Sequence, residues 1–208
     1  ARDMIHTAFD LGITHFDLAN NYGPEPGSAE RNFVRILKED FQKMRDELII
    51  STKAGYLMWP GPYGNWGSKK SLLASLDQSL ERLGLDYVDI FYSHRPDPNT
   101  PIEETMAVCN MLKKKGKIRY IGMSNSSKEL IQEAQKYAKI DVIQPPFSIV
   151  NQSERELMEW AETQGIGTMT YGSLGGGILT GAIRELPKPD PKDMRQVFYP
   201  FFKEPVFS

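Results

Sequence analysis

Apolar residues recur at helical spacing in some stretches and as short unbroken runs in others, and the two patterns alternate along the chain. Leu72, Leu73, Leu76, Leu80 and Leu83 mark one face of a helix over 68–83, with Ser68 as its N-cap and Gly84 as its stop. The same reasoning predicts helices over 1–11 (stopped at Gly12), 28–40 (Ser28 as N-cap), 101–115 (opened by Thr100-Pro101, closed by Gly116), 127–138 and 153–164 (ended by Gly165). Between them, strands are expected over 14–19, 47–53, 87–93, 118–123, 141–147 and 166–171. Ile49-Ile50, Val88-Asp89-Ile90-Phe91 and Val142-Ile143 read as strands covered on both faces. Strands that alternate with helices of this length imply βαβ units and a parallel sheet.

Two kinds of parallel sheet compete. No Gly-x-Gly-x-x-Gly follows the first strand, which argues against a Rossmann sheet. Candidate chemical residues instead lie just past several different strands, which favours an α/β (β/α)8 TIM barrel with its site at the C-terminal face. About six strands are found where a closed barrel has eight. The chain opens on a helix and closes on a Pro-rich segment, Leu186 to Ser208, read as irregular. The expectation is one partial barrel domain over 1–208, either a fragment or the ordered part of a longer chain, with elements supplied by a partner as the alternative.

Composition changes this picture little. A chain of 208 residues with 40% apolar content suits one domain with a sizeable core. A net charge of −2 gives no basic footprint for nucleic acid or a membrane surface. No run approaches the roughly 18 apolar residues of a membrane span, and Ala1-Arg2-Asp3-Met4-Ile5-His6 has no signal-peptide core. Cys109 has no second cysteine to pair with, so a reducing cytoplasm is the expected setting and a small buried hydrophobe its expected role. The three histidines are not at metal-ligand spacing. His6 reads as a helix-surface residue and His15 as structural.

Four separated segments end in polar residues and turns. They are Phe16-Asp17-Leu18-Ala19-Asn20-Asn21-Tyr22-Gly23, Ile49-Ile50-Ser51-Thr52-Lys53-Ala54-Gly55, Ile90-Phe91-Tyr92-Ser93-His94-Arg95-Pro96-Asp97 and Ile121-Gly122-Met123-Ser124-Asn125. Asp17, Tyr22, Lys53 and His94 each have an ordinary structural explanation alone, but all four fall at the same topological position. Adjacent parallel strands lie about 4.8 Å apart, so side chains from neighbouring strand ends can converge. Together the segments resemble the aldo-keto reductases, over about residues 5–183. The Gly55–Gly64 loop, the Leu73–Leu80 helix and Tyr92-Ser93-His94-Arg95 look like the bacterial branch typified by L-glyceraldehyde 3-phosphate reductases, which is related to the voltage-gated potassium channel β subunits.

The resemblance implies a catalytic set. Tyr22 is the acid that protonates the nascent alkoxide. A free tyrosine, with a pKa of about 10, is too weak for that at neutral pH. An ammonium at about 4 Å interacts with phenolate by roughly 4 kcal/mol, which corresponds to a fall of up to about 3 pKa units. Lys53 supplies it, Asp17 holds Lys53, and His94 orients the substrate oxygen. The resemblance also implies that Ser124, Asn125 and Gln144 clamp a nicotinamide carboxamide, that Tyr171 stacks on its ring, and that Ser173 and Leu174, just before Gly175-Gly176-Gly177, follow the cofactor diphosphate. Trp59 and Tyr63 are expected as an aromatic substrate wall. The family's first strand and everything past the seventh strand's loop have no counterpart, including the basic residues that grip a 2′-phosphate. NADP (as NADPH) is therefore expected from family habit alone. The implied function is reduction of aldehydes or ketones, a small-molecule carbonyl being the partner and a homo-oligomer possible. The alternatives are a cofactor-binding regulatory subunit with little turnover and an inactive fragment.

Overall fold

The computed structural model describes residues 1–41 and 43–188, together with Arg195 and Phe202. Helix α1 (Arg2–Asp10) precedes strand β1 (His15–Asp17), and the chain then alternates without exception. The order is α2 (Ser28–Asp40), β2 (Ile49–Ala54), α3 (Lys69–Leu83), β3 (Val88–Ser93), α4 (Ile102–Lys114), β4 (Ile118–Ser124), α5 (Lys128–Gln135), β5 (Val142–Gln144), α6 (Arg155–Thr163) and β6 (Gly167–Thr168). The six strands form one sheet in sequential order, each parallel to the next.

That sheet is curled. β1 and β5 stand four strands apart, which in a flat sheet separates them by roughly 19 Å at about 4.8 Å per step. Gln144 Nε2 on β5 nevertheless lies 3.1 Å from Asp17 Oδ2 on β1, so the strands wrap around a common interior, as barrel strands do.

Alternation along the strands divides the side chains. Ile50, Phe91, Ile121 and Ile143 pack outward with Leu72, Leu76, Met106, Leu112 and Ile131 of the helices in the main core. Ile90, Tyr92 and Val142 form a second, inner cluster. On α3 the expected stripe is buried at Leu72, Leu76, Leu80 and Leu83, with Leu73 packed at its margin. Each fully buried leucine contributes about 1.5–3 kcal/mol.

Several expected boundaries shift for local reasons. Strand 141–147 stops at Gln144 because Pro145 and Pro146 carry no N–H to continue the ladder. Strand 166–171 is reduced to Gly167–Thr168, and strand 14–19 to His15–Asp17. Arg45–Glu47 is a 3-10 turn leading into β2, not its first residues. Ser28 is not a cap: Gly27 holds that place at φ +82°, a left-handed conformation glycine adopts readily. Ser68 and Ser127 do cap, accepting from Ser71 N at 3.4 Å and Leu130 N at 3.3 Å. Cys109 is buried, which pushes its thiol up to about 12 and suits a packing role. Beyond Lys188 the Pro-rich segment lies outside the described residues, apart from Arg195 and Phe202. Among the described residues no helix is long and apolar enough to cross a membrane, and no three His, Cys, Asp or Glu gather around a metal position.

Candidate active site

Asp17 closes β1, Lys53 sits near the end of β2, and His94 follows β3. Register sets Asp17 beside Ser51 and Lys53 beside Tyr92, which aims the polar ends of three strands into one interior. Tyr22 arrives from the loop after β1. Its backbone N–H donates to Ala19 O at 3.2 Å and its carbonyl accepts from Ala29 N at 3.1 Å, which ties the loop to the start of α2.

Lys53 has 0% exposure. An ammonium carries three hydrogens, and Nζ has three acceptors: Asp17 Oδ2 at 2.5 Å, Leu18 O at 2.8 Å and Tyr22 Oη at 3.3 Å. Burial draws the lysine pKa down, and the Asp17 charge and hydrogen bond oppose that. Because Tyr22 Oη accepts from Lys53, its own hydrogen points away from the ammonium. Asp17 is held on both oxygens, Oδ1 by Ser51 Oγ at 2.5 Å and Oδ2 by Lys53 and by Gln144 Nε2 at 3.1 Å.

His94 is buried, with its ring edge-on to Tyr56 and Tyr22 at centroid distances of 4.6 and 5.8 Å. Burial first, then the Lys53 charge, lower its pKa to about 3, so the imidazole is neutral at physiological pH. A neutral imidazole offers one donor and one acceptor. Its Nδ1 has no hydrogen-bond partner among the described residues.

Tyr22, Tyr56, His94, Ser124, Asn125, Gln144 and Tyr171 line one cavity of about 270 Å³. Asn125 holds φ +53° and donates through Nδ2 to His94 O at 3.0 Å and Ser124 Oγ at 3.1 Å, while Tyr171 Oη donates to its Oδ1 at 2.7 Å. Ser124 Oγ donates to Gln144 O at 3.0 Å. Gln144 spends one Nε2 hydrogen on Asp17 and keeps the other, with Oε1 as an acceptor. The hydrogens of Ser124 and Asn125 are spent within the protein, so the second Gln144 N–H and the amide oxygens of Gln144 and Asn125 are the donor and acceptors left to meet the carbonyl and NH2 of a carboxamide, which suits a nicotinamide.

Ser173 and Leu174 lie outside the cavity, in an exposed turn; Ser173 Oγ is 3.4 Å from Thr170 Oγ1, and Leu174 is 60% exposed. Trp59 and Tyr63 also fall outside its lining, and Tyr63 is 49% exposed. Beside Tyr22 and Tyr171, the further aromatic that lines it is Tyr56, a residue to which the sequence pattern gives no role. Its signal was position: it follows Lys53 by three residues, just past Gly55. Arg95 stacks on Tyr56 at 4.2 Å and on Trp66 at 3.7 Å, and donates to Gly55 O at 2.9 Å and Asn65 Oδ1 at 3.0 Å, which fixes this loop beside His94.

Residues 1–203 match the Aldo/keto reductase family. The chain belongs to that family. It is 54% identical over 187 residues to the L-glyceraldehyde 3-phosphate reductase of Escherichia coli (strain K12), covering 86% of this chain and 54% of that protein. It is 35% identical over 191 residues to a probable voltage-gated potassium channel subunit beta of Arabidopsis thaliana, covering 87% of this chain and 56% of the other. Among solved structures, the glycerol dehydrogenase of Gluconobacter oxydans superposes with a TM-score of 0.85 at 30% identity, over 99% of this chain and 63% of that one. The chain thus spans little more than half the length of these curated relatives. The likeness identifies the curled six-stranded sheet as part of the (β/α)8 barrel of the aldo/keto reductases, the fold class expected from the strand-end chemistry.

Proposed function

We propose that the protein reduces aldehydes or ketones to alcohols with a nicotinamide cofactor, NADPH in preference, in the cytoplasm. One observation carries this reading above the others: the Lys53 ammonium is wedged between the Asp17 carboxylate and the Tyr22 phenol oxygen. When bound, the reduced nicotinamide supplies two electrons and a hydrogen to the carbonyl carbon. Tyr22 then gives its proton to the carbonyl oxygen as the C=O electron pair collapses onto it. Lys53 stabilises the phenolate left behind. Asp17 keeps the ammonium in place. Neutral His94 donates a hydrogen bond to the same oxygen and orients the substrate. Ser124, Asn125 and Gln144 hold the carboxamide, and Tyr171 packs the ring. Ser173 and Leu174 follow the diphosphate, and Trp59 and Tyr63 serve as an aromatic wall for the substrate. The small cavity and the named substrate of the Escherichia coli relative favour a short polar aldehyde.

NADPH oxidation by the intact protein with methylglyoxal or nitrobenzaldehyde tests this. Tyr22→Phe should lower kcat by about 10²–10⁴-fold, the usual contribution of a general acid, while cofactor quenching of Trp fluorescence persists. An unchanged rate in that variant removes Tyr22 from its role. Cofactor binding with no turnover in the wild type would favour a regulatory subunit instead.

A further inference from the structure

On one oxygen of Asp17 the hold runs back into the barrel interior. Ser51 Oγ lies 2.5 Å from Asp17 Oδ1, and His15 Nε2 lies 3.0 Å from Ser51 Oγ. The topology makes this string. His15 and Asp17 stand two apart on β1, as do Ser51 and Lys53 on β2, so each pair shares a face. The register then sets Asp17 directly beside Ser51.

Counting hydrogens gives the string a direction. An ionised carboxylate only accepts, so the single Ser51 hydrogen goes to Asp17. The Ser51 oxygen is then the acceptor for His15. Burial, with the Lys53 charge adding and Asp17 and Asp89 opposing, lowers the His15 pKa and favours a neutral ring. A neutral imidazole has one N–H, which the geometry puts on Nε2.

We propose that Ser51 is a positioning residue for the carbonyl reduction and that His15 orients it. Together they fix the plane of the Asp17 carboxylate, so that Oδ2 stays aimed at Lys53 and the ammonium stays against Tyr22. This rests on the reductase reading above. The Lys53–Tyr22 contact, at 3.3 Å, is the longest of the three the ammonium makes, so it is the first to be lost when the carboxylate turns. Ser51 has 0% exposure and is absent from the cavity lining, so the effect belongs in the reactive step and not in substrate binding. A misplacement of about 1 Å at such contacts can cost about 10²-fold in rate, and a smaller turn of the carboxylate correspondingly less.

The test uses the intact protein. With ¹⁵N-labelled histidine and no cofactor, long-range ¹H–¹⁵N spectra at pH 7 should show His15 neutral with its hydrogen on Nε2, and Ser51→Ala should abolish that preference. In turnover, Ser51→Ala should lower kcat about tenfold, with KM for the aldehyde and cofactor quenching of Trp fluorescence within about twofold of wild type. Ser51→Thr, which restores the hydroxyl, should recover most of the rate. A His15 that is cationic or carries its hydrogen on Nδ1, or an unchanged kcat in Ser51→Ala, overturns the proposal. A wild-type rate no higher than that of Tyr22→Phe would sink the reductase reading itself, and the kinetic half of this proposal with it; the His15 spectrum reports independently of both.

Discussion

Three acceptors surround the Lys53 ammonium, and each limits what can replace it. An arginine is a planar fork, larger than a site with no exposed surface, and it cannot aim single hydrogens at a carboxylate, a carbonyl and a phenol together. A methionine keeps the bulk but strands the Asp17 charge with only Ser51 and Gln144 as donors. Removing one partner of such a pair costs about 3 kcal/mol or more. Lys53→Met should therefore lose about that much stability in urea titrations and show no turnover. Deeper in the interior, a Cβ on Gly122 would sit 2.3 Å from Cδ1 of Tyr92, a buried ring in the floor beneath Lys53. Gly122→Ala should cost about 2 kcal/mol by overpacking. The loss should shrink when Tyr92 is first trimmed to Val, and thermal unfolding of the two single variants and the double variant checks it.

Carboxylates also join the elements to one another. Glu30 on α2 is buried; its Oε1 accepts from Thr52 Oγ1 of β2 at 2.7 Å and its Oε2 from Arg82 Nε of α3 at 2.6 Å. Asp89 and Asp141 repeat one device. Each accepts from the backbone N–H of a neighbouring strand, Ile50 at 2.8 Å and Ile121 at 3.0 Å, and from a cation, Arg45 or Lys113. Arg82→Leu should destabilise by about 3 kcal/mol, since it leaves Glu30 charged and buried, whereas Arg82→Leu with Glu30→Met should recover most of that loss. Equal stability of the single and double variants in urea would refute this account of the pin. The contrast bears on what the sequence can show. Strand ends with Asp17, Lys53 and His94 were readable because period and turn residues mark them. The expected Ser28 cap gives way to Gly27, whose left-handed conformation glycine adopts readily; Ser and Gly are both N-cap residues, so residue type does not choose between adjacent ones. The links from Ser51 to Asp17 and from Glu30 to Arg82, and the place of Tyr56 in the cavity wall, are set by strand register and by the packing of neighbouring elements, which no local pattern reports.

Across the whole molecule, burying imidazoles in that interior makes stability depend on pH. His94 has a folded pKa of about 3, against about 6.5 when unfolded, and His15 is lowered in the same direction by burial. Between pH 7 and 5 the unfolded chain takes up protons at these rings that the folded protein refuses. Stability rises with pH wherever the unfolded state binds more protons, so here it falls on acidification, and it goes on falling until the folded His94 itself titrates. Carboxylates with lowered pKa values, such as Asp97, keep their contribution until pH drops below the ordinary carboxylate range, so the upper window belongs to the histidines. Integrated from pH 7 to 5, His94 alone accounts for about 2 kcal/mol. Unfolding of the intact protein in urea at pH 7, 6 and 5 should show this loss, and His94→Gln should flatten the dependence by about that amount. A variant whose stability tracks the wild type across the same range would mean that the ring is not held neutral by its burial beside Lys53, and that it enters the reaction in a different protonation state from the one argued above.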